Sequence, residues 1–382
     1  MFGDVWRFLV SALFEKTTIK YNDTILIQKM TFTYLQICLV LILSSSCSLS
    51  GVTKDPAGST EEQRFANPVF EPVLADPSVI FDSRENKFYA YGTEDNWGDG
   101  KDARFVPILE STNLTDWRYV AEAFEQKPAW KKEGWIWAPD INNIYGQYYL
   151  YYSISTWGDS DPGIGLAIAD SPTGPFVDQG KLFTSKEMDV PNSIDPFYMA
   201  ENGEEYLFWG SFDRGPKQGT YAVKLEDNGR RVKSFLDTTK IAAGDFEAVM
   251  IHKKDGYYYF FGSKGSCCEG AKSGYHVLVG RSQHLLGPYL DKEGNDIRLR
   301  GHGTVVMKGN DTYAGPGHNS RIFTDKDGKD WILYHAIKKE DAKLINGTSR
   351  RVLMLDEVRW EEGWPIIHDG EPSHARNVVP SF

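Results

Sequence analysis

Five short motifs in this 382-residue chain place an acidic or imidazole side chain at the start of an apolar segment. They are Ala75-Asp76-Pro77, Ala138-Pro139-Asp140, Ile194-Asp195-Pro196, Phe246-Glu247-Ala248 and Gly317-His318-Asn319. Any one Asp-Pro pair taken alone is best interpreted as a turn or the entry to a strand. Carboxylates brought together shift each other's pKa values, a cost that a site with a metal or a reaction accounts for. Because the motifs recur at matching places, they predict one carboxylate cluster that performs acid–base chemistry.

Hydrolysis of a glycosidic bond is a reaction that such a cluster can perform. It requires a protonated acid at the leaving oxygen and an ionised carboxylate that activates water or attacks the sugar. Aromatic residues form 14% of the chain, with 11 Trp and 20 Tyr, which suits a protein that stacks rings on sugar faces. The alternative is that Tyr and Trp are abundant because they form strands well.

The elements that position these motifs repeat five times along the chain. Each repeat has an aromatic-rich segment after a polar or Gly-containing turn: KFYAYGTED (87–95), QYYLYYSIS (147–155), EYLFWGSF (205–212), YYYFFGSKG (257–265) and DWILYHAI (330–337). An apolar strand precedes each of these segments: SVIF (78–81), INNIY (141–145), FYMA (197–200), VMIH (249–252) and RIF (321–323). Each pair therefore predicts a hairpin, with the aromatic segment as its second strand.

The spacing of the repeats matches one four-stranded propeller blade with its loops. We predict an all-β fold, a five-bladed β-propeller that spans residues 67–382. The first strand of a propeller blade lies nearest the axis, so the five motifs would converge on one central funnel. A β-sandwich with chance aromatic strands is the alternative.

Charge and composition limit the classes of partner. The chain has 42 basic and 53 acidic residues, a formal net charge of −11, and neither sign forms a long block. Nucleic acid and anionic membrane surfaces are not expected partners, because phosphate neutralisation needs clustered Lys and Arg. A polysaccharide or oligosaccharide is the expected partner, bound by a monomer.

The N-terminal region resembles a secretion signal. Residues 31–46 form an uncharged run that is too short for a membrane span, and Cys47 follows Ser44-Ser45-Ser46 as in bacterial lipoprotein signals. We expect residues 1–46 to be a signal segment, Cys47 to be a lipidation site, and residues 47–66 to be a linker. The mature protein would be secreted, as a periplasmic or cell-surface lipoprotein whose one membrane contact is the lipid, or as a freely secreted protein.

Together the motifs resemble glycoside hydrolase family 43, from about Asn67 to about Asp369. The resemblance implies that Asp76 is the general base, Asp195 a carboxylate that modulates a pKa, and Glu247 the general acid of an inverting hydrolase. It also implies that Asp140, in Trp137-Ala138-Pro139-Asp140, supports the substrate site. One departure is Ala248-Val249 after Glu247, where arabinanases more often have Ala-Pro, and another is a charged insertion at residues 338–351.

Within that family, the segment around Cys267-Cys268 and the string Gly315-Pro316-Gly317-His318-Asn319-Ser320 are similar to the endo-α-1,5-L-arabinanases. The resemblance implies one Ca²⁺ in the central channel, with His318 as its protein ligand and water as most of the shell. No organic cofactor is expected. The sequence leaves open whether Cys267 and Cys268 form a disulfide or remain thiols.

Further residues are predicted to contact a sugar because they lie beside blade openings or the turns after inner strands. They are Trp97, Trp137, Trp157, Asn192 and Phe197. The aromatic rings would stack on sugar faces, and Asn192 would bond a hydroxyl. Each aromatic residue could equally belong to the core.

The sequence thus predicts an inverting hydrolase of α-1,5-linked L-arabinan. The alternatives are an exo-acting α-L-arabinofuranosidase, a β-xylosidase on the same fold, and a carbohydrate-binding propeller without catalysis. The fructan and sucrose hydrolases fit less well, because they carry Arg-Asp-Pro and Glu-Cys where this chain has Ile-Asp-Pro and Glu-Ala.

Overall fold

A computed structural model describes residues 63–211 and 215–382, and the regular structure in these ranges is almost entirely β-strand. The predicted signal segment, Cys47 and residues 47–62 of the predicted linker lie outside the described residues. Within the described ranges, the helical structure consists of one turn of α-helix, α1 (Ser185–Met188), and two 3₁₀ turns, Gly270–Lys272 and Lys339–Asp341. No helix in the described ranges is long and apolar enough to span a membrane.

Five antiparallel sheets follow one another along the chain, after a short first strand, β1 (Arg64–Phe65). The first sheet contains β2 (Ser78–Asp82), β3 (Lys87–Tyr91), β4 (Pro107–Ser111) and β5 (Arg118–Glu122). The second contains β6 (Trp135–Ile144), β7 (Gln147–Ser155), β8 (Gly163–Ala169) and β9 (Val177–Thr184). The third contains β10 (Phe197–Glu201), β11 (Glu204–Ser211), β12 (Gly219–Glu226), β13 (Arg231–Val232) and β14 (Thr239–Ala243), where both β13 and β14 pair with β12.

The last two sheets complete the set. The fourth contains β15 (Glu247–Lys254), β16 (Tyr257–Lys264), β17 (His276–Ser282) and β18 (Thr304–Met307). In the fifth, β19 (Tyr313–Gly317) and β20 (Ile322–Thr324) both pair with β21 (Asp330–Lys338), which is followed by β22 (Arg351–Glu361) and β23 (Trp364–Ile367). The five aromatic segments form the second strand of each sheet, as the repeat predicted.

Alternating side chains of the second strands bind each sheet to both of its neighbours. In β7, Tyr148, Leu150 and Tyr152 pack against the first sheet, whereas Tyr149 and Tyr151 pack against the third. Successive residues of a strand point to opposite faces, so a strand covered on both faces is apolar or aromatic at nearly every position. This explains the aromatic runs that mark the repeats in the sequence.

Packing between the fifth and first sheets closes the ring. Leu333 and Leu353 of the fifth sheet share one apolar cluster with Val79 and Leu109 of the first. A further cluster joins the third, fourth and fifth sheets, so every sheet contacts two others. The structure therefore confirms the predicted five-bladed β-propeller, and each sheet is hereafter called a blade, numbered in chain order.

The two ends of the described chain meet at this closure. β1 pairs antiparallel with β24 (Asn377–Val378), and Phe65 lies in the cluster that joins the fifth and first blades. Residues 63–66, which were predicted to belong to the linker, are thus packed against the propeller.

Candidate active site

The entry to the inner strand of each blade contains one residue in the left-handed backbone conformation. The five residues are Asp76, Ala138, Asp195, Ala248 and His318, with φ values of 55°, 42°, 57°, 57° and 46°. Positive φ is uncommon for residues other than glycine, so its recurrence at one place in every blade marks an equivalent position. The aligned residues include Asp76, Asp195 and His318 of the sequence motifs, but in blades two and four they are Ala138 and Ala248 rather than Asp140 and Glu247.

Hydrogen bonds between neighbouring blades hold this conformation. At four junctions, the N–H of the left-handed residue donates to a side chain in or just after the second strand of the preceding blade. The pairs are Asp76 with His335 Nδ1 (3.1 Å), Ala138 with Thr93 Oγ1 (2.8 Å), Asp195 with Ser153 Oγ (3.0 Å) and His318 with Ser263 Oγ (2.9 Å). At the junction of blades three and four, the N–H of Ala248 donates instead to Asp195 Oδ2, at 2.9 Å.

A cavity of about 820 Å³ opens at these blade entries, and Asp76, Asp195 and Glu247 all line it. They come from blades one, three and four, and each is at least nine-tenths buried. Because water screens buried groups only weakly, each of these carboxyls interacts strongly with the charges next to it. The three acids predicted to be catalytic therefore share one site, although their roles are not fixed by position alone.

Cationic and imidazole groups surround Asp76. Arg351 Nη1 lies 2.9 and 3.0 Å from the two carboxylate oxygens, and the Thr93 hydroxyl donates to Oδ2 at 2.6 Å. Nδ1 of His318 and of His335 each lie 3.3 Å from Oδ1. Burial raises the pKa of Asp76, but Arg351 and then the two imidazoles outweigh it and hold the pKa well below the ordinary value. Asp76 is therefore ionised at neutral pH.

Asp195 has the opposite environment. Burial and the adjacent Glu247, followed by Asp76, raise the pKa of Asp195 well above its ordinary value. The bond from the Ala248 N–H lowers this pKa but does not reverse the shift. Tyr275, which is fully buried, forms a hydrogen bond to Glu247. Because the two carboxyls interact, they titrate as a pair, and the pair keeps a proton at a pH where an isolated carboxyl has lost it.

Three predicted sugar-binding residues line the same cavity: Trp137, Trp157 and Asn192. The rings of Trp137 and Trp157 lie 5.6 Å apart between centroids. Trp157 is 73% exposed, which leaves its ring open to a ligand. Trp137 and Trp157 thus form an aromatic edge of the cavity on blade two.

Two other residues predicted to contact a sugar, Phe197 and Trp97, do not line the cavity, and neither does Asp140, which was predicted to support the site. Asp140 and Phe197 lie two residues after a left-handed residue, where the inner strand has already turned into the sheet. Asp140 accepts hydrogen bonds from Arg321 at 2.6 Å and from the Tyr198 N–H at 2.7 Å. The Arg321 guanidinium also covers the Phe197 ring, at 4.3 Å from the centroid.

Trp97 belongs to the packing between the fifth and first blades. It is 8% exposed and lies in the apolar cluster of that junction. Arg104 covers its ring at 4.0 Å and Phe70 contacts it edge-on, so neither face is open to a ligand.

His318, the predicted calcium ligand, lines the cavity beside Asp76. Burial, which outweighs the attraction of Asp76, lowers its pKa to about 4, so the imidazole is neutral at pH 7. The described residues contain no group of three or more His, Cys, Asp or Glu side chains suited to hold a metal ion. A Ca²⁺ ion with six to eight protein oxygen ligands therefore does not fit these side chains, whereas an ion held mainly by water needs only His318.

Sequence reasoning missed Arg351 and Thr93, which contact Asp76 directly. Arg351 lies 275 positions from Asp76 in the sequence, at the end of segment 338–351, for which the sequence indicated only a charged insertion. Lys343, Gly347, Thr348 and Ser349 of that segment also line the cavity. The segment is held on both sides, because Asn346 bonds Asn96 O at 2.9 Å and Ser349 bonds Cys268 O at 2.8 Å. It forms the wall of the cavity on blade five.

Cys267 and Cys268 form a disulfide between adjacent residues, and both line the cavity. The sequence left their state open. The bond lies on blade four, next to the wall formed by segment 338–351.

A propeller with an acidic cavity at its blade entries is a scaffold suited to a glycoside hydrolase, and comparison with known proteins identifies the family. Residues 65–365 match the model of glycosyl hydrolases family 43. The chain belongs to that family, and the protein is a glycoside hydrolase.

Two curated relatives match most of the chain. An extracellular exo-α-(1→5)-L-arabinofuranosidase of Cellvibrio japonicus is 34% identical over 70% of this chain and 81% of the relative. An extracellular endo-α-(1→5)-L-arabinanase of Bacillus subtilis is 31% identical over 77% of this chain and 87% of the relative. A solved structure, the α-L-arabinanase of Cellvibrio cellulosa in complex with arabinohexaose, is similar with a TM-score of 0.67 and 31% identity, over 78% of this chain and 96% of that chain.

Proposed function

We propose that the protein cleaves α-1,5-linked L-arabinan by a single displacement that inverts the anomeric carbon. The observation that carries this proposal is the opposite electrostatic environment of Asp76 and of the Asp195–Glu247 pair within one cavity. Paired acids whose surroundings separate their pKa values are suited to act as base and acid at the same pH.

In this mechanism Asp76 is the general base. The Arg351 guanidinium keeps it ionised, so it can take a proton from the water that attacks the anomeric carbon. The water forms the new C–O bond as the glycosidic C–O bond breaks on the opposite face of the sugar. Because water attacks directly, no covalent sugar–enzyme bond forms.

Glu247 is the general acid, and it gives the proton held by the Asp195–Glu247 pair to the departing oxygen. Asp195 serves as the modulating carboxylate, since its interaction with Glu247 keeps a proton on the pair at pH values above the ordinary pKa of a carboxyl. The Tyr275 hydroxyl and the Ala248 N–H orient the two carboxyls for this transfer.

The names of the relatives support arabinan as the substrate rather than fragments of xylan. The Bacillus subtilis relative is named an endo-arabinanase, and endo-action is our first proposal. Exo-action is the second, because the relative with 34% identity is named an exo-arabinofuranosidase. Chromatographic sizing of early products from linear arabinan separates the two, since a ladder of oligosaccharides indicates endo-action and one small product indicates exo-action. A non-catalytic binding role does not fit, since the chain belongs to a family of glycosyl hydrolases and three acids meet in one cavity.

Secretion is proposed because both curated relatives are named extracellular. The lipid anchor at Cys47 and the monomeric state remain predictions. Mass spectrometry of the mature N-terminus would detect a diacylglycerol on Cys47, and an unmodified N-terminus would exclude it.

The predicted Ca²⁺ would have His318 as its protein ligand and water for most of its shell, and it would add positive charge beside Asp76. Elemental analysis of protein purified without chelator should find about one calcium per chain and less in His318→Ala. Equal calcium in both proteins would remove His318 as the ligand.

Replacement of the acid tests the mechanism. Glu247→Gln should lower kcat on linear arabinan by roughly 100- to 10,000-fold. On an aryl arabinofuranoside with a good leaving group the loss should be much smaller, because that departure needs no protonation. Equal losses on the two substrates would exclude Glu247 as the acid. Asp140→Asn is the matched control for a buried carboxyl outside the cavity, and its effect should not depend on the leaving group.

A further inference from the structure

We infer that Thr93 is a positioning residue for the base. Its hydroxyl donates a hydrogen bond to Asp76 Oδ2, which leaves Oδ1 as the oxygen that receives the proton from water. This inference rests on the proposed role of Asp76 as the base. It assigns a role to a residue of blade one that the mechanism above does not use.

The direction of the Thr93 hydrogen bonds follows from the proton count. The Ala138 N–H donates to Thr93 Oγ1 at 2.8 Å, so the hydroxyl acts as acceptor in that bond. The single hydroxyl proton is then free for Asp76 Oδ2, which lies 2.6 Å from Oγ1. Arg351 Nη1 donates to both oxygens of Asp76, at 2.9 and 3.0 Å, so this carboxyl acts as an acceptor. Both bonds of the Thr93 hydroxyl therefore have one defined direction.

The backbone around Thr93 fixes the position of this hydroxyl. The Thr93 N–H donates to Ala75 O at 2.9 Å, and the next residue bonds blade two through its own N–H, which donates to Ile136 O at 2.8 Å. The side chain is only 4% exposed, and its branched Cβ restricts rotation about χ1. Thr93 thus links the residue before the base, the base itself and the entry of blade two.

The two oxygens of Asp76 are unequally occupied as a result. Among the described residues, Oδ2 accepts bonds from Thr93 and Arg351, whereas Oδ1 accepts one from Arg351 alone. Nδ1 of His318 and of His335 also lie near Oδ1, each at 3.3 Å. That of His335 already accepts the Asp76 N–H, and the distance from that of His318 is longer than the 2.6–3.0 Å bonds from Thr93 and Arg351. Each carboxylate oxygen offers about two lone-pair sites, so Oδ1 retains one for the attacking water. Loss of the Thr93 hydroxyl would let the carboxylate rotate and exchange the two oxygens.

Steady-state kinetics on a linear arabino-oligosaccharide test this inference. Thr93→Val should lower kcat by roughly 10- to 100-fold with KM changed by less than about twofold, because the base is misplaced while the binding surface is kept. Thr93→Ser keeps the hydroxyl and should retain kcat within about threefold of the parent. Thr93→Ala removes the hydroxyl without added bulk and should match Thr93→Val, which guards against a folding defect in one variant.

Thr220→Val is the matched control. Thr220 is fully buried in β12, and its hydroxyl has no hydrogen-bond partner within the described ranges, so the same chemical change should leave kcat and KM unaltered. Equal kcat losses in Thr93→Val and Thr93→Ser would show that the site tolerates no change of any kind, and would overturn the role of the hydroxyl. Unchanged kcat in both Thr93→Val and Thr93→Ala would also overturn it.

Asp76→Asn, measured beside these variants, separates the inference from the proposed function. If Asp76→Asn is inactive and Thr93→Val is fully active, the inference fails and the proposed function stands. If Asp76→Asn retains turnover, Asp76 is not the base, and the proposed function fails together with the inference.

Discussion

Asp76 of blade one and Asp195 of blade three are equivalent in the propeller and opposite in chemistry. Both lie two residues before an inner strand, both have φ near 55°, and the N–H of each donates to a side chain of the preceding blade. Yet the pKa of Asp76 is held well below the ordinary value, and that of Asp195 well above it. The same residue in the same backbone position thus has opposite preferred protonation states.

The neighbouring side chains account for this difference. Burial raises the pKa of both carboxyls, but Arg351 lies against Asp76, whereas Glu247 lies against Asp195. The propeller supplies five equivalent entries, and the charge beside each entry decides what its side chain can do. Blades two and four show the limiting case, because their equivalent positions hold Ala138 and Ala248, which cannot titrate.

The largest expected effect comes from loss of the charge on the base. Asp76→Asn keeps the size of the side chain but cannot take a proton, so kcat on arabinan should fall by roughly 100- to 10,000-fold. Initial rates of reducing-sugar release would measure this loss. Turnover within tenfold of the parent would show that blade one does not supply the base.

Arg351→Met should make the surroundings of Asp76 more like those of Asp195. Without the guanidinium, burial dominates and the pKa of Asp76 rises, so the acidic limb of kcat/KM should move to higher pH. A pH–rate profile of the free enzyme measures this limb. Lys240→Met, a cation outside the cavity, serves as control and should leave the limb in place. An unmoved limb in Arg351→Met would contradict the account of how Asp76 stays ionised.

The two Asp→Asn variants should change stability in opposite directions at pH 7. Because the pKa of Asp76 is lowered, its ionised form stabilises the folded protein at pH values above the ordinary pKa of 3.8, and this stability is lost as the pH falls through the folded-state pKa. Asp76→Asn also leaves the Arg351 charge buried without the Asp76 carboxylate as its partner. Its free energy of unfolding should drop by roughly 3 kcal/mol.

The raised pKa of Asp195 has the reverse consequence. Its contribution to stability is fully present below 3.8 and is lost as the pH rises through the folded-state pKa, so Asp195→Asn should stabilise the protein at pH 7 and have less effect near pH 4. Urea unfolding of both variants at the two pH values measures these changes. Destabilisation of similar size in both variants at pH 7 would contradict the comparison.

The smallest effect is expected at Ser153, which holds the backbone of Asp195 but not its carboxyl. Ser153→Ala removes the acceptor of the Asp195 N–H and should cost about 1–3 kcal/mol of stability. Because the carboxyl keeps its other contacts, kcat should stay within about tenfold of the parent, a smaller loss than in Thr93→Val. Equal kcat losses in the two variants would mean that backbone anchoring, rather than contact with the carboxylate, controls turnover.

The repeats made the fold predictable from sequence. Each second strand is buried on both faces, so its aromatic residues show the blade period directly. The same repeats also located Asp76, Asp195 and Glu247, since each belongs to a motif immediately before or at the start of an inner strand.

The rest of the site depends on backbone details that the spacing does not reveal. Asp140 was grouped with Asp76 because both precede an apolar segment, but Ala138 occupies the left-handed position of blade two, and Asp140 bonds Arg321 instead. Arg351 comes close to Asp76 only after the ring closes between the fifth and first blades. No local pattern in the sequence indicates such a contact.

Carbon-13 NMR of protein with labelled aspartate carboxyls tests the central claim most directly, with Asp76→Asn and Asp195→Asn used to assign the two signals. We predict that Asp76 keeps the chemical shift of an ionised carboxylate from pH 4 to pH 8, and that Asp195 keeps a protonated shift well above its ordinary pKa of 3.8. Two signals that titrate together near 3.8 would contradict the division of labour between these carboxyls.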